Sequence, residues 1–236
     1  MAFSENVRKK AHKYYSIALK SRKYYHHFLR SKAPGAFTLE YGCGPGSQAF
    51  VLADNGATVV GIDISDVAID LGKAKAADDA NNDRISFSVM DAEDLKFDES
   101  SFDLICGTGI LHHLNLEKAY SELQRVVKKD GVALFIEPLG HNPFINLYRK
   151  LTPKLRTVDE HPLLSKDLIL AKSYFDKVDI KYFHLFSFVA VPFRNTPLFK
   201  PLLWLLDSLD SALFSILPIT RKYAWSVVMQ LSAPLK

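Results

Sequence analysis

The sequence predicts an α/β fold, a parallel sheet covered by helices on both faces. Three observations predict it. Short apolar runs alternate with helix-length stretches between residues 36 and 137, a glycine-rich turn (Gly42-Cys43-Gly44-Pro45-Gly46) follows the first run, and the second run ends in Asp63, 17 positions after Gly46. A strand, a tight turn leading into a helix, and an acid that can accept from two ribose hydroxyls make a nucleotide-type cofactor site.

From Ser4 to Ser31 the chain has neither Gly nor Pro and sets Tyr14, Ile17, Ala18, Tyr24 and Phe28 among basic residues. That predicts one or two helices, ended by Ala33-Pro34-Gly35. Strands follow near 36–41, 57–62, 85–90, 102–107 and 131–137, with helices near 47–54, 65–78 and 115–128. This repeat is what a parallel sheet buried on both faces requires. Asp130-Gly131 reads as the turn into the fifth strand, the glycine taking the left-handed position that closes a helix. Prolines at 138, 143, 153 and 162 mark a stiff substrate-side loop, followed by a helix over 165–175 and a strand over 178–183. Residues 185–224 are apolar but interrupted by Pro192, Pro197, Pro201 and Pro218, which predicts a lid or interface inserted before a last strand over 225–231. One domain is the expected organisation: a helical cap over 1–33, a cofactor-binding core over 34–137, and the substrate-side loop, lid and last strands over 138–236.

A hydrophobic content of 48% fills a core of that size. The net charge of +4 is uneven: residues 1–32 hold nine Lys/Arg against one acid, or +8, and the remainder holds 21 against 25, or −4. Any phosphate, anionic lipid or acidic partner is therefore expected at the N-terminal segment. Cys43 and Cys106 make no disulfide framework, and the first residues show no export signal, so a reducing, cytoplasmic setting is expected. Asp207 and Asp210 interrupt the most apolar stretch, 201–217. It falls short of the roughly 18 uncharged residues of a membrane span.

The glycine spacing is G-x-G-x-G, which points away from NAD and its G-x-G-x-x-G turn. From Phe37 to Glu137 the chain resembles the class I S-adenosylmethionine (SAM)-dependent methyltransferases, in the manner of their type 11 small-molecule members. The resemblance implies a Rossmann-like, doubly wound, mostly parallel seven-stranded sheet with an antiparallel last strand, an N-terminal helical cap and an apolar helical insertion near the C-terminus. It also implies SAM as cofactor, with S-adenosylhomocysteine as by-product. Glu40 matches the acid leading into the turn, and Gly42, Cys43, Gly44 and Gly46 match the turn around the cofactor's amino-acid part. Asp63 matches the ribose-holding acid, with Ile64 beside the adenine. Within Met90-Asp91-Ala92-Glu93-Asp94-Leu95, Asp91 matches the acceptor for the adenine amino group and Ala92 a backbone contact. Gly107 and Thr108 match the positions beside the sulfonium.

Methyl transfer from a sulfonium is an in-line displacement that needs mainly positioning, and a base only where the acceptor atom keeps its proton near neutral pH. Base candidates gather where the carboxyl ends of the strands open: His112 and His113 after the fourth strand, then Glu137, His141, Asn142, Asp159, Glu160 and His161 after the fifth. His113, His141 and His161 are the catalytic candidates, as base or acceptor-orienting groups. Their spacing forms no compact ligand motif, so no metal is expected.

These residues predict methyl transfer to a small-molecule or lipid-like acceptor, with residues 183–225 closing over it. RNA methylation is an alternative, because tyrosines interleave with Lys and Arg between Arg8 and Lys32. Against it, the rest of the chain is net acidic and no Asn-Pro-Pro-Tyr-like motif follows the fourth strand. A non-catalytic SAM-binding regulator is a third reading, although every cofactor position is filled. The run Leu202-Leu203-Trp204-Leu205-Leu206 fits core packing, a homodimer interface, or peripheral contact with an anionic bilayer.

Overall fold

The computed structural model describes residues 16–152 and 160–235, so Arg8, Tyr14 and Asp159 lie outside the described residues. The strands are β1 (Phe37–Tyr41), β2 (Thr58–Asp63), β3 (Ile85–Val89), β4 (Phe102–Thr108), β5 (Val127–Pro138), β6 (Phe175–Phe183) and β7 (Ser226–Pro234). They form one sheet in the order β3-β2-β1-β4-β5-β7-β6. Strands β1 to β5 pair in parallel, and β7 runs antiparallel between β5 and β6. The antiparallel last strand is as the resemblance implied.

The helices are α1 (Leu19–Lys32), α2 (Ser47–Asp54), α3 (Asp66–Ala77), α4 (Leu116–Val126), α5 (Pro143–Leu151), α6 (Ser165–Leu170) and α7 (Phe199–Ile216). One face of the sheet packs against Leu116, Ala119, Tyr120 and Leu123 of α4, an i, i+3, i+4, i+7 stripe. Asn115 starts that helix by accepting from the Glu117 and Lys118 amides. The other face packs against Tyr25 and Leu29 of α1, Ala49 and Leu52 of α2, and Ile69 of α3. Central strand β4 gives Phe102 and Ile105 to the first core and Leu104 and Cys106 to the second, which is why Leu104-Ile105-Cys106 reads as a continuous apolar run.

Three local expectations are corrected. The stretch read as a stiff loop contains α5: Asn142 accepts from the Phe144 and Ile145 amides, and Pro143 occupies the first turn, where its missing N–H costs nothing. Gly131 is not a left-handed helix closer. Strand β5 begins at Val127, and its register against β4 jumps from Phe102↔Val127 to Leu104↔Val132, so residues 128–131 bulge out. A Cβ on Gly131 would stand 2.9 Å from the Phe102 carbonyl oxygen, so close backbone approach demands the glycine. The helix over 165–175 is shorter, ending at Leu170 with a single 3-10 turn, and β6 starts at Phe175.

The tyrosines of α1 serve the fold. Tyr25 is buried and donates to the Gly107 carbonyl at 3.1 Å, while Tyr24 packs on Phe183 beneath the Lys181 ammonium. Between β6 and β7, α7 forms the core of the expected insertion. It splits the Leu202–Leu206 run, with Leu203 buried and Trp204 and Leu205 exposed. Among the described residues no helix is long and apolar enough to cross a membrane.

Candidate cofactor and active site

After β1 the chain runs outward to β2 and β3, then returns to place β4 on the other side of β1, so the carboxyl ends of β1 and β4 flank the point where strand order reverses. Crevices at such points are where open α/β sheets bind ligands. The glycine turn leaves β1 there. Gly42, Gly44 and Gly46 have φ of 68°, 52° and 80°, all left-handed. A Cβ at Gly46 would collide with the Phe87 ring at 2.3 Å, and one at Gly42 with Ile110 at 2.6 Å. At Gly44 it would meet nothing within 4 Å, so this glycine borders open space.

Two carboxylates hold the turn. Glu40, 3% exposed, accepts from the Gln48 and Ala49 amides at 2.9 and 2.8 Å. Helix α2 has Gly46 at its N-cap and no capping side chain there, so Glu40 supplies the missing acceptors from the neighbouring strand. Burial pushes its carboxyl up to about 7, against the lowering pull of those two amides. Asp63, at the end of β2, accepts from the Gly44 amide at 2.8 Å and the Ser65 amide at 2.9 Å. One lone pair remains on each oxygen for a diol.

Ile64 is 76% exposed beside Asp63, an apolar platform open to a planar ring. The Met90 amide donates to the Asp63 carbonyl at 3.0 Å, bringing Asp91 to the same edge. Asp91 is exposed and accepts from the Glu93 amide, and the Ala92 carbonyl accepts from the Tyr41 hydroxyl. Gly107 is buried, with its carbonyl taken by Tyr25, and Thr108 is exposed at the end of β4. Cys43 and Cys106 are buried free thiols, and burial raises both thiol pKa values. The expected cofactor residues thus lie at or just beyond the carboxyl ends of β1 to β4.

Gln48 is a feature the sequence reading missed. Among the described residues its Oε1 is buried without a hydrogen-bond partner, in the first turn of α2. An orphaned acceptor, open space at Gly44 and two carboxylates fit a ligand carrying both an ammonium and a ribose.

The loop after β4 is held by Glu137, 1% exposed at the end of β5. Its Oε1 accepts from the Ile110 and Leu111 amides, both at 2.9 Å, and its Oε2 lies 2.7 Å from His112 Nδ1. With Glu137 ionised, Nδ1 carries the hydrogen and Nε2 is the basic nitrogen. His113 packs against His112 with ring centroids 4.1 Å apart and the rings tilted by 39°. His161 is exposed, and its amide donates to the His112 carbonyl at 2.9 Å. His141 departs from the group: its Nε2 accepts from the Ser165 amide at 3.1 Å, which occupies that nitrogen at the start of α6.

A sheet of this order, with a glycine turn after β1 and an acid ending β2, is the fold of the class I SAM-dependent methyltransferases. Residues 39–135, about two fifths of the chain, match the family described as "Methyltransferase domain". Over 102 residues the chain is 42% identical to an uncharacterised protein of Methanocaldococcus jannaschii, covering 43% of this chain and 36% of that one. It is 35% identical over 111 residues to demethylmenaquinone methyltransferase of Clavibacter sepedonicus, covering 46% and 44%. The chain therefore spans less than half the length of either relative. Geranyl diphosphate C-methyltransferase from Streptomyces coelicolor superposes with a TM-score of 0.64 at 15% identity, over 91% of this chain and 81% of that one, a likeness of fold.

Proposed function

We propose that this protein transfers the methyl group of SAM to a small, apolar, lipid-like acceptor. The observation that carries the reading is the joint geometry of Gly44 and Asp63, an open left-handed glycine whose amide is held by the acid that ends the next strand. SAM supplies an electrophilic methyl on a sulfonium. In this reading the glycine turn and Gln48 hold its amino-acid part, Asp63 its ribose, and Ile64, Asp91 and Ala92 its adenine. Gly107 and Thr108 border the end of β4, where the methyl is presented.

His112, with its tautomer fixed by Glu137, is the base-type group best placed to take a proton from an acceptor hydroxyl or acidic carbon. His113 and His161 border it and orient the acceptor. His141 keeps a structural part. The apolar class of acceptor is supported by the name of the quinone-modifying relative and by the insertion between β6 and β7, whose apolar residues outnumber its charged ones. The RNA alternative loses support because Tyr24 and Tyr25 are committed to packing.

The test uses SAM labelled in its methyl group, incubated with the protein and a cell extract, then partitioned between organic and aqueous phases with an Asp63→Ala control subtracted. Label in the organic phase is expected. Label found only in the aqueous phase would refute the apolar acceptor, and no label above the control would refute methyl transfer.

A further inference from the structure

Helix α7 turns both of its acids inward and leaves several of its leucines outside. Its buried positions are Phe199, Leu203, Asp207, Asp210 and Phe214, so both of its carboxylates face inward. Asp207 accepts from the Ser187 hydroxyl at 2.7 Å and lies 3.2 Å from His184 Nδ1, while Asp210 accepts from the Leu185 and Phe186 amides at 2.8 and 2.9 Å. At about 100° per residue, Leu205, Leu209, Ala212 and Ile216, with the N-cap Leu198, fall on one stripe roughly 150° around the helix from the buried one. That stripe is exposed, with Leu198 at 61%, Leu205 at 58%, Leu209 at 51% and Ile216 at 75%. A helix facing only water carries its acids outside and its leucines inside.

The charges around the stripe identify what covers it. Residues 185–224 contain Arg194, Lys200, Arg221 and Lys222 against Asp207 and Asp210 alone. With both acids turned inward, the outer surface combines aliphatic side chains with positive charge. Lys20 donates to the Asp207 carbonyl and to Ser211 Oγ, fastening α1, whose sequence has five cations and no acid, to the flank of α7. A second copy docked face to face would bring these cations together.

We propose that α7 lies flat on an anionic lipid bilayer, with its leucine stripe in the acyl boundary, Trp204 at the edge, and Arg194 and Lys222, from the segments that flank the helix, on the lipid phosphates. The orientation needs no cofactor, so it stands or falls apart from methyl transfer.

Flotation tests it, using the whole chain with vesicles of phosphatidylcholine alone or with about a third phosphatidylglycerol. The protein should float with the anionic vesicles only, and salt should weaken the binding. Leu205→Glu combined with Leu209→Glu, both on the exposed stripe, should cut partition about tenfold or more with an unchanged circular dichroism spectrum. Arg194→Gln combined with Lys222→Gln should cut it about twenty-fivefold, since each cation near such a surface strengthens binding about fivefold. Three results would overturn the proposal: no flotation, equal flotation on neutral vesicles, or a leucine variant that floats like the parent. A dimer in sedimentation that the leucine pair breaks, with no vesicle binding, would assign the face to a second copy instead.

Discussion

Replacing Glu40 by Gln removes a titration that the fold imposes on its own cofactor turn. In the folded protein the carboxyl titrates near 7, against an ordinary 4.5, because burial outweighs the two amides that favour its charge. Below about pH 4.5 the group is protonated in both states and adds no pH dependence. Between there and 7 the unfolded chain releases a proton that the folded chain keeps, so stability falls as pH rises, and above 7 the whole cost is present. At 1.36 kcal/mol per pH unit the gap amounts to about 3 kcal/mol. Glutamine has no charge to bury, but its NH2 faces an amide donor, which costs about 1 kcal/mol at every pH. The difference in unfolding free energy between Glu40→Gln and parent should therefore move by about 3 kcal/mol in favour of the variant between pH 4.5 and 7. Urea melts at four pH values read it directly, and a difference that stays flat would show that Glu40 ionises normally, refuting the argument from burial.

Gly46→Ala should lower stability by about 3 kcal/mol, since its methyl enters the Phe87 ring; Gly44→Ala should cost only about 1 kcal/mol, yet weaken SAM binding tenfold or more. Thermal melts and titration calorimetry separate the two effects. Asp210→Ala strips the acceptor from two half-buried amides and the buried Ser187 hydroxyl and should cost about 3 kcal/mol in denaturant melts, with Asp210→Asn restoring part of it.

The sheet was legible because its central strands are buried on both faces and carry short continuous apolar runs, as Leu104-Ile105-Cys106 shows. Gly42, Gly44, Gly46 and Asp63 were legible because each answers a local backbone or hydrogen-bonding demand. Elements that depend on distant partners were harder to read. The Glu40 cap spans from one element to the amides of another, and the Glu137–His112 pairing joins β5 to the turn after β4, so spacing alone fixes neither. Helix α5 was hidden because prolines were read as loop markers, although Asn142-Pro143 is a helix start. The inward turn of Asp207 and Asp210 had no local signal, since their partners lie at residues 184–187.

Titration calorimetry of SAM into the parent and into Asp63→Asn tests the central assignment of the glycine turn and the β2 acid most directly. The account predicts one site in the parent and an affinity about a hundredfold weaker in the variant, whose side chain keeps one acceptor and loses the charge. Equal affinity in both proteins, or no binding to the folded parent, would contradict it.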